Sequence, residues 1–291
     1  MSHTFSRQFV HIVFGIKNLN SSIPTKHQSS LYGYITGIIK RLGGFLIARS
    51  GTSNHIHLLV NTPTSMAISK FLCQLKAGSS KWIHQKGGSN LNFDWEDGFA
   101  AFSVSLESIP KVKQYFLREE SRHSTYPFEQ ELVSFLNIHE IKFDPRFLTK
   151  NTHTQLLYHI VWTVKNREPL LGQSIKTLLH DKIRKEVQGC CGKLHAIGNV
   201  NDHIHILIDC PSHLATSCLV QALKTKTSSI INKFQNSRMG KFGWQEGYGV
   251  FSIGRPALEV VTNYVLNQEE HHKFQSFEDE WKKITAMNFM G

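Results

Sequence analysis

The sequence predicts an α+β protein built twice in tandem. Two observations carry that expectation: an internal repeat at nearly constant spacing, and the same order of apolar strands and amphipathic helices in each repeat. Phe9-Val-His-Ile-Val-Phe14 returns as Leu157-Tyr-His-Ile-Val-Trp162, and Asn54-His-Ile-His-Leu-Leu-Val60 returns as Asp202-His-Ile-His-Ile-Leu-Ile208, both 148 residues on. Trp95-Glu-Asp-Gly-Phe99 matches Trp244-Gln-Glu-Gly-Tyr248, and Tyr115 matches Tyr264, now 149 residues on. His123, Phe128 and Glu131 match His272, Phe277 and Glu280 at that same 149, so one inserted residue accounts for the change. The join lies where Asp144-Pro145 interrupts regular structure, giving domains 1–146 and 147–291 of ordinary size. A long unit present only twice is a fused pair rather than a solenoid, whose short units need at least three copies.

Within a copy the order is β-α-β-β-α-β-α. Val10 to Ile16 is an apolar strand, Gln28 to Leu42 is a helical stretch, and Gly43 to Arg49 and His55 to Val60 are neighbouring strands. Ser65 to Gln85 has helical spacing through Ile68, Phe71, Leu72 and Leu75, Phe99 to Val104 reads as a strand, and Ser108 to Glu120 as a closing helix. The second copy repeats the strands at Tyr158 to Val164, His195 to Asn199, His203 to Asp209 and Gly249 to Ile253. This order fits two tandem ferredoxin-like or RRM-like sandwiches, an antiparallel sheet with helices on one face.

Composition narrows the function. Hydrophobic residues are 40% and charged residues 19% of the chain, and no apolar run approaches the ~18 residues of a membrane helix. The amino terminus has no apolar secretory segment, so the expected compartment is the cytoplasm. Cys73, Cys190, Cys191, Cys210 and Cys218 follow no metal-finger spacing and read as reduced core residues rather than a disulfide or metal framework. Lys plus Arg is 33 against 22 for Asp plus Glu, a net +11 that favours a polyanionic partner, nucleic acid above all.

In a strand, residues i and i+2 share a face, so His55 and His57, and likewise His203 and His205, present paired imidazoles suited to a metal ion. Their recurrence in both copies outweighs the reading of a lone polar pair on a half-buried strand. Two histidines leave a divalent ion short of ligands. Glu119 lies four residues after Tyr115, and Gln268 four after Tyr264, so in a helix each phenol shares a face with an oxygen ligand. A phenol beside a metal is a candidate nucleophile. Lys70, Lys76, Lys81 and Lys86 in one copy, and Lys224, Lys226, Lys233 and Lys241 in the other, are candidates for stripes of phosphate contacts. A His-x-Thr/Ser phosphodiesterase is disfavoured because the second positions are His57 and His205. A His-x-His-x-His hydrolase is disfavoured because Leu59 and Leu207 stand in the third positions.

These motifs, together with the Lys-x-x-Ser/Thr-Ser helix, Phe251-Ser252, Tyr264-Val-Leu-Asn-Gln268 and His271-His272, resemble the single-tyrosine HUH transposases of bacterial insertion sequences and their REP-associated relatives. The resemblance spans nearly the whole chain, once per half. It implies a transposase that nicks and joins single-stranded DNA with hairpin ends through a 5′-phosphotyrosine, using Mg²⁺ or Mn²⁺. Tyr264 and Tyr115 would be catalytic, with His55, His57, His203, His205, Gln268 and Glu119 at the metal and Lys76, Lys224 and Lys226 on DNA. It also implies an intrachain pseudo-dimer in which the histidines of one half meet the tyrosine of the other, although a cis arrangement is known among such folds. Copy one departs from the pattern with Glu119 in place of Gln268 and with Arg118 and Arg122 near Tyr115. The rival reading is a noncatalytic DNA-binding protein descended from such an enzyme.

Overall fold

In the computed structural model, which describes residues 4–17, 22–23, 25–87, 93–118, 127–235 and 241–286, the repeat becomes two five-stranded sheets. The first copy runs β1 (Phe5–Arg7), β2 (Phe9–Gly15), α1 (Thr25–Arg41), β3 (Phe45–Gly51), β4 (His55–Asn61), α2 (Ile68–Gly87), β5 (Phe99–Ser103), α3 (Ile109–Leu117) and α4 (Phe128–Ile138). The second runs β6 (Thr152–Gln155), β7 (Leu157–Thr163), α5 (Gln173–Gly189), β8 (Lys193–Asn199), β9 (His203–Asp209), α6 (Thr216–Phe234), β10 (Gly249–Ser252), α7 (Leu258–Leu266), α8 (Gln268–His271) and α9 (Phe277–Ala286). Among the described residues no helix is long and apolar enough to cross a membrane.

The sheet orders are β3-β4-β2-β5-β6 and β8-β9-β7-β10-β1. The four inner-copy strands pair antiparallel, and β6 joins β5 in parallel. One edge strand of each sheet is therefore the segment that leads into the other copy. The compact units follow this exchange: Met1–Ser6, Leu157–Cys210 and Cys218–Gly291 form one, and Arg7–Leu156 with Pro211–Ser217 the other.

The expected helices on one face become helices on both, and strand burial shows why. All of β2 is buried, as are the first six residues of β4 and of β9, the pattern of strands covered on both sides. Alternation sorts the side chains. Phe14 meets Trp95, whose indole is tied to Ser79 of α2. On the opposite face Val13 and Phe102 pack on Phe128, Leu132 and Leu136 of α4, and Leu59 packs with Phe116 and Tyr115 of α3. Leu207 packs in the same way with Val265 and Tyr264 of α7. Each fully buried aliphatic contributes about 1.5–3 kcal/mol, so these faces fix the register of the histidines between them.

The repeated Lys, Ser/Thr and Trp positions form a tether. Trp95 Nε1 donates to Ser79 Oγ at 2.9 Å, and Trp244 Nε1 to Thr227 Oγ1 at 2.9 Å. Lys76 Nζ donates to the carbonyls of Glu96, Asp97 and Gly98, and Lys224 Nζ to those of Gln245 and Gly247. Burial pushes both lysines down to about 8, with Asp97 and Glu96 raising Lys76 and Glu246 raising Lys224. Lys76 and Lys224, expected on DNA, thus spend their N–H donors on the loop before β5 or β10, because a buried ammonium needs acceptors at short range. Lys226 pairs with Glu186 at 2.5 Å on the surface.

The tyrosine helix of the second copy lies close on β8. A Cβ at Gly198 would collide with the Val265 carbonyl oxygen and stand 3.3 Å from Gln268 Cγ. In the first copy the matching position is Ser50, whose hydroxyl donates to the Phe116 carbonyl at 2.9 Å. Gly198→Ala should therefore lower unfolding free energy by about 1–3 kcal/mol. Gly33→Ala in α1, where the added methyl meets nothing within 4 Å, should raise it by about 0.5–1 kcal/mol. Urea titration of both variants checks the pair, and equal effects would contradict the close approach of α7.

Candidate active site

His55 and His57 on β4, and His203 and His205 on β9, have no exposed surface. Each pair points into the face covered by the helices that follow the last strand of its copy. In the first copy Glu131 of α4 places Oε2 at 3.3 Å from His55 Nε2 and 3.4 Å from His57 Nε2. Its other oxygen, Oε1, accepts the Tyr115 hydroxyl. The second copy repeats the arrangement: Glu280 Oε2 lies 3.5 Å from both His203 Nε2 and His205 Nε2, and Oε1 accepts the Tyr264 hydroxyl. His272 adds its Nε2 at 3.1 Å from Glu280 Oε2 and 3.1 Å from His203 Nε2.

The rings are held from behind. His203 Nδ1 lies 2.7 Å from Asp202 Oδ1, whose Oδ2 takes Arg167, while His55 Nδ1 lies 2.7 Å from Asn54 Oδ1 and 3.0 Å from Thr52 Oγ1. Phe128 stacks on His55 with centroids 4.4 Å apart, and Phe277 lies 4.6 Å from His203. A carboxylate behind one histidine and a neutral amide behind the other is the clearest chemical difference between the copies.

Charges follow the geometry. Burial alone would raise the Glu280 carboxyl, but hydrogen bonds from His203, His205 and His272 outweigh it and hold it well below the usual range. Glu131 is held down against burial in the same way by His55, His57 and Tyr115. Burial and the adjacent Glu280 charge push the Tyr264 phenol up, with Gln268 opposing, so the ion-free tyrosine keeps its proton. Burial would lower His203, yet Asp202 and Glu280 raise it, whereas burial brings His205 down to about 4.

The donor sets suit a divalent cation. The nitrogen and oxygen atoms of His203, His205, His272 and Glu280 lie within 4.8 Å of one another, as do those of His55, His57 and Glu131. Donors about 2.1 Å from an ion stand roughly 3.0–3.4 Å apart in octahedral or tetrahedral sites, close to the 3.1–3.5 Å seen here. His205 Nε2 is buried and meets Glu280 Oε2 only at 3.5 Å, so it has room for a closer partner.

The expected ligands fare differently. Gln268 is buried, donates to the Tyr264 carbonyl at 3.3 Å, and leaves Oε1 without a hydrogen-bond partner. Glu119 and Arg122 lie outside the described residues, as does His123. Glu131, Glu280 and His272 were visible only as positions matched at 149 residues; their site role was missed. The implied meeting of one half's histidines with the other half's tyrosine is corrected. His57 lies 6.1 Å from Tyr115 and His205 lies 6.0 Å from Tyr264, ring centroid to centroid, because each tyrosine helix packs on its own copy's strands.

The family profile described as "Transposase IS200 like" matches residues 4–118 and again residues 152–268. Among solved structures, a candidate transposase from Deinococcus radiodurans R1 is similar at 23% identity, with a TM-score of 0.33, covering 39% of this chain and 91% of its own. A REP-associated tyrosine transposase bound to a REP hairpin is similar at 14% identity, with a TM-score of 0.34, covering 42% of this chain and 70% of its own. A search of curated proteins found no match.

Neutral buried imidazoles make stability depend on acidity. His205 and His159 sit at about 4 and about 3 when folded, through burial, against 6.5 for an ordinary histidine. The unfolded chain therefore binds more protons between those values, and stability falls as pH drops from about 6.5. Depressed Glu280 adds loss in the same direction once pH passes below its unfolded value of about 4.3. Raised His203 acts oppositely, its contribution fading as pH rises through its folded value. In chelator, the thermal midpoint should peak near pH 6.5 and decline toward pH 4. Calorimetry showing a flat midpoint over that acid range would contradict the neutral assignments.

Proposed function

This chain belongs to the IS200-like transposase family, matched over residues 4–118 and 152–268, and from that premise we propose that it is a metal-dependent endonuclease and strand transferase for single-stranded DNA with hairpin ends. The observation that carries the reading is the convergence, in each copy, of a tyrosine hydroxyl and two buried imidazoles on the two oxygens of one glutamate.

His203, His205 and Glu280 would hold the ion in the second copy, with His272 and the Gln268 oxygen as further donors. His55, His57 and Glu131 would hold it in the first. A bound Mg²⁺ or Mn²⁺ supplies Lewis-acid polarisation of the scissile phosphate. The Tyr264 hydroxyl attacks phosphorus, and its proton passes along the existing hydrogen bond to Glu280 Oε1. The phosphorus to 3′-oxygen bond breaks, the 3′-oxygen takes a proton from a water that the proton on Glu280 restores, and a 5′-phosphotyrosine remains. Attack by another 3′-hydroxyl reverses the step and joins strands. Tyr115 and Glu131 have the same relation in the first copy. The net charge of +11 supplies salt-sensitive affinity for the phosphate backbone.

Incubation with hairpin-ended single strands from the flanks of its own gene and Mn²⁺ should give a protein–DNA adduct that survives denaturation. Tyr115→Phe with Tyr264→Phe should abolish it, and an intact adduct would refute the nucleophile assignment. Because each tyrosine sits with its own copy's histidines, His203→Ala with Tyr264→Phe should spare the first site, while His55→Ala with Tyr264→Phe should disable both. The reverse pattern on a denaturing gel would return the pairing to the other arrangement.

The donors also predict a preference. Nitrogen-rich sets favour Mn²⁺ over Mg²⁺, which prefers oxygen. At a concentration 100-fold above its dissociation constant, a single bound Mn²⁺ stabilises by about 2.7 kcal/mol. Mn²⁺ should therefore raise the thermal midpoint more than equal Mg²⁺, and His203→Ala with His205→Ala should lose most of that gain. Equal shifts with both ions would contradict the preference.

A further inference from the structure

We infer that His159 and His11, which take no part in the reaction above, are positioning residues that set which nitrogen of His205 and of His57 faces the ion. The inference rests on the proposed metal site.

The register places them. On β7, His159 stands opposite Leu207, and His205 stands opposite Val161, so the two histidines are diagonal neighbours on one face. His159 Nε2 lies 2.9 Å from His205 Nδ1, with ring centroids 5.1 Å apart and planes at 23°. The first copy repeats this closely: His11 stands opposite Leu59 and His57 opposite Val13, with His11 Nε2 at 2.9 Å from His57 Nδ1. Both outer histidines are buried, at 5% exposure. Both copies keep a buried histidine behind the same ligand.

The chemistry gives the reason. An imidazole that offers its Nε2 lone pair to a cation carries its proton on Nδ1, and a buried Nδ1–H needs an acceptor. His203 has the Asp202 carboxylate and His55 the Asn54 amide oxygen for this purpose. For His205 and His57 the group beside Nδ1 is an imidazole nitrogen, 2.9 Å away. Unlike a carboxylate, imidazole can accept or donate. Without an ion, His205 can keep its proton on Nε2 toward Glu280, 3.5 Å away, while His159 donates to Nδ1. With an ion, His205 carries its proton on Nδ1 and His159 accepts it, its own proton moving to Nδ1. Both rings stay neutral, so the switch changes tautomers and no charge enters the core. Burial, which holds His159 down to about 3, favours that neutral state.

The same rings touch the nucleophiles. His159 meets Tyr264 edge-on with centroids 5.9 Å apart, and His11 meets Tyr115 at 6.5 Å. One residue per copy thereby backs both a ligand and the attacking phenol.

The test uses the full chain without DNA and changes both copies together. His11→Phe with His159→Phe keeps ring volume and removes the acceptor. His11→Gln with His159→Gln places an amide oxygen near the former Nε2. Calorimetric titration with Mn²⁺ should show the phenylalanine pair weakened about 10- to 100-fold and the glutamine pair within a few-fold of the parent. In ¹⁵N-histidine spectra with diamagnetic Zn²⁺, His205 and His57 should carry their proton on Nδ1. Parent-like affinity in the phenylalanine pair overturns the inference, and equal loss in both pairs reduces the histidines to packing and also overturns it. Should the phenylalanine pair fail to fold by circular dichroism, His159→Phe and His159→Gln alone make the same comparison. No Mn²⁺ uptake by the unaltered chain would instead refute the metal site, a distinguishable failure.

Discussion

Two imidazoles without exposed surface stand in the middle of each sheet, and a buried polar nitrogen without a partner costs about 1–3 kcal/mol. That constraint organises everything packed on their face. A helix crossing there must bring a hydrogen-bonding group, and α4 and α9 each bring one glutamate. A bare carboxylate in such a place is itself costly, so it arrives matched by imidazoles on one oxygen and a phenol on the other. The strand turns in front of the histidines supply Asn54 and Asp202, and the neighbouring strands supply His11 and His159. Most polar groups on this surface answer another, the Gln268 Oε1 oxygen being an exception, and the aliphatic residues on the reverse face hold the array in register.

The two copies solve the problem with different chemistry. Asp202 gives His203 a charged partner, itself held by Arg167, where Asn54 gives His55 a neutral one. A carboxylate behind an imidazole raises the basicity of the far nitrogen, so in the proposed metal site the second copy would be the stronger ligand set even before His272 is counted. Gly198 and Ser50 mark a parallel divergence beneath the tyrosine helices: a backbone contact in one copy, a hydroxyl bridge in the other.

Much of this was legible in the sequence. The repeat, eight of the ten strands and the histidine and tyrosine positions followed from periodicity and spacing, because long buried strands and amphipathic helices carry their pattern locally. The short edge strands Phe5–Arg7 and Thr152–Gln155 carry too few residues for alternation to register. Glu131 and Glu280 stood out in the sequence only as matched repeat positions, since it is the chain's return over the sheet that buries them. Lys76 and Lys224 also hold loop carbonyls, a role the charge count could not show. Composition counts charge but cannot tell an ammonium facing solvent from one closing a loop of carbonyls. The partnership of tyrosine and histidine within a copy was equally out of reach, for it depends on which sheet the helix returns to.

The exchanged edge strands bear on how such a chain comes into being. Phe5–Arg7, made before the other strands, borders β10, the last of them, and so large a sequence separation belongs to the slow, high-contact-order class of folding. During vectorial synthesis the leading strand has nowhere to dock until nearly the last element emerges. The first sheet in turn keeps β5 open until Thr152–Gln155 leaves the ribosome. An open apolar edge invites wrong partners. Because each sheet is closed by the other copy's leading segment, neither copy of the repeat carries a complete sheet of its own.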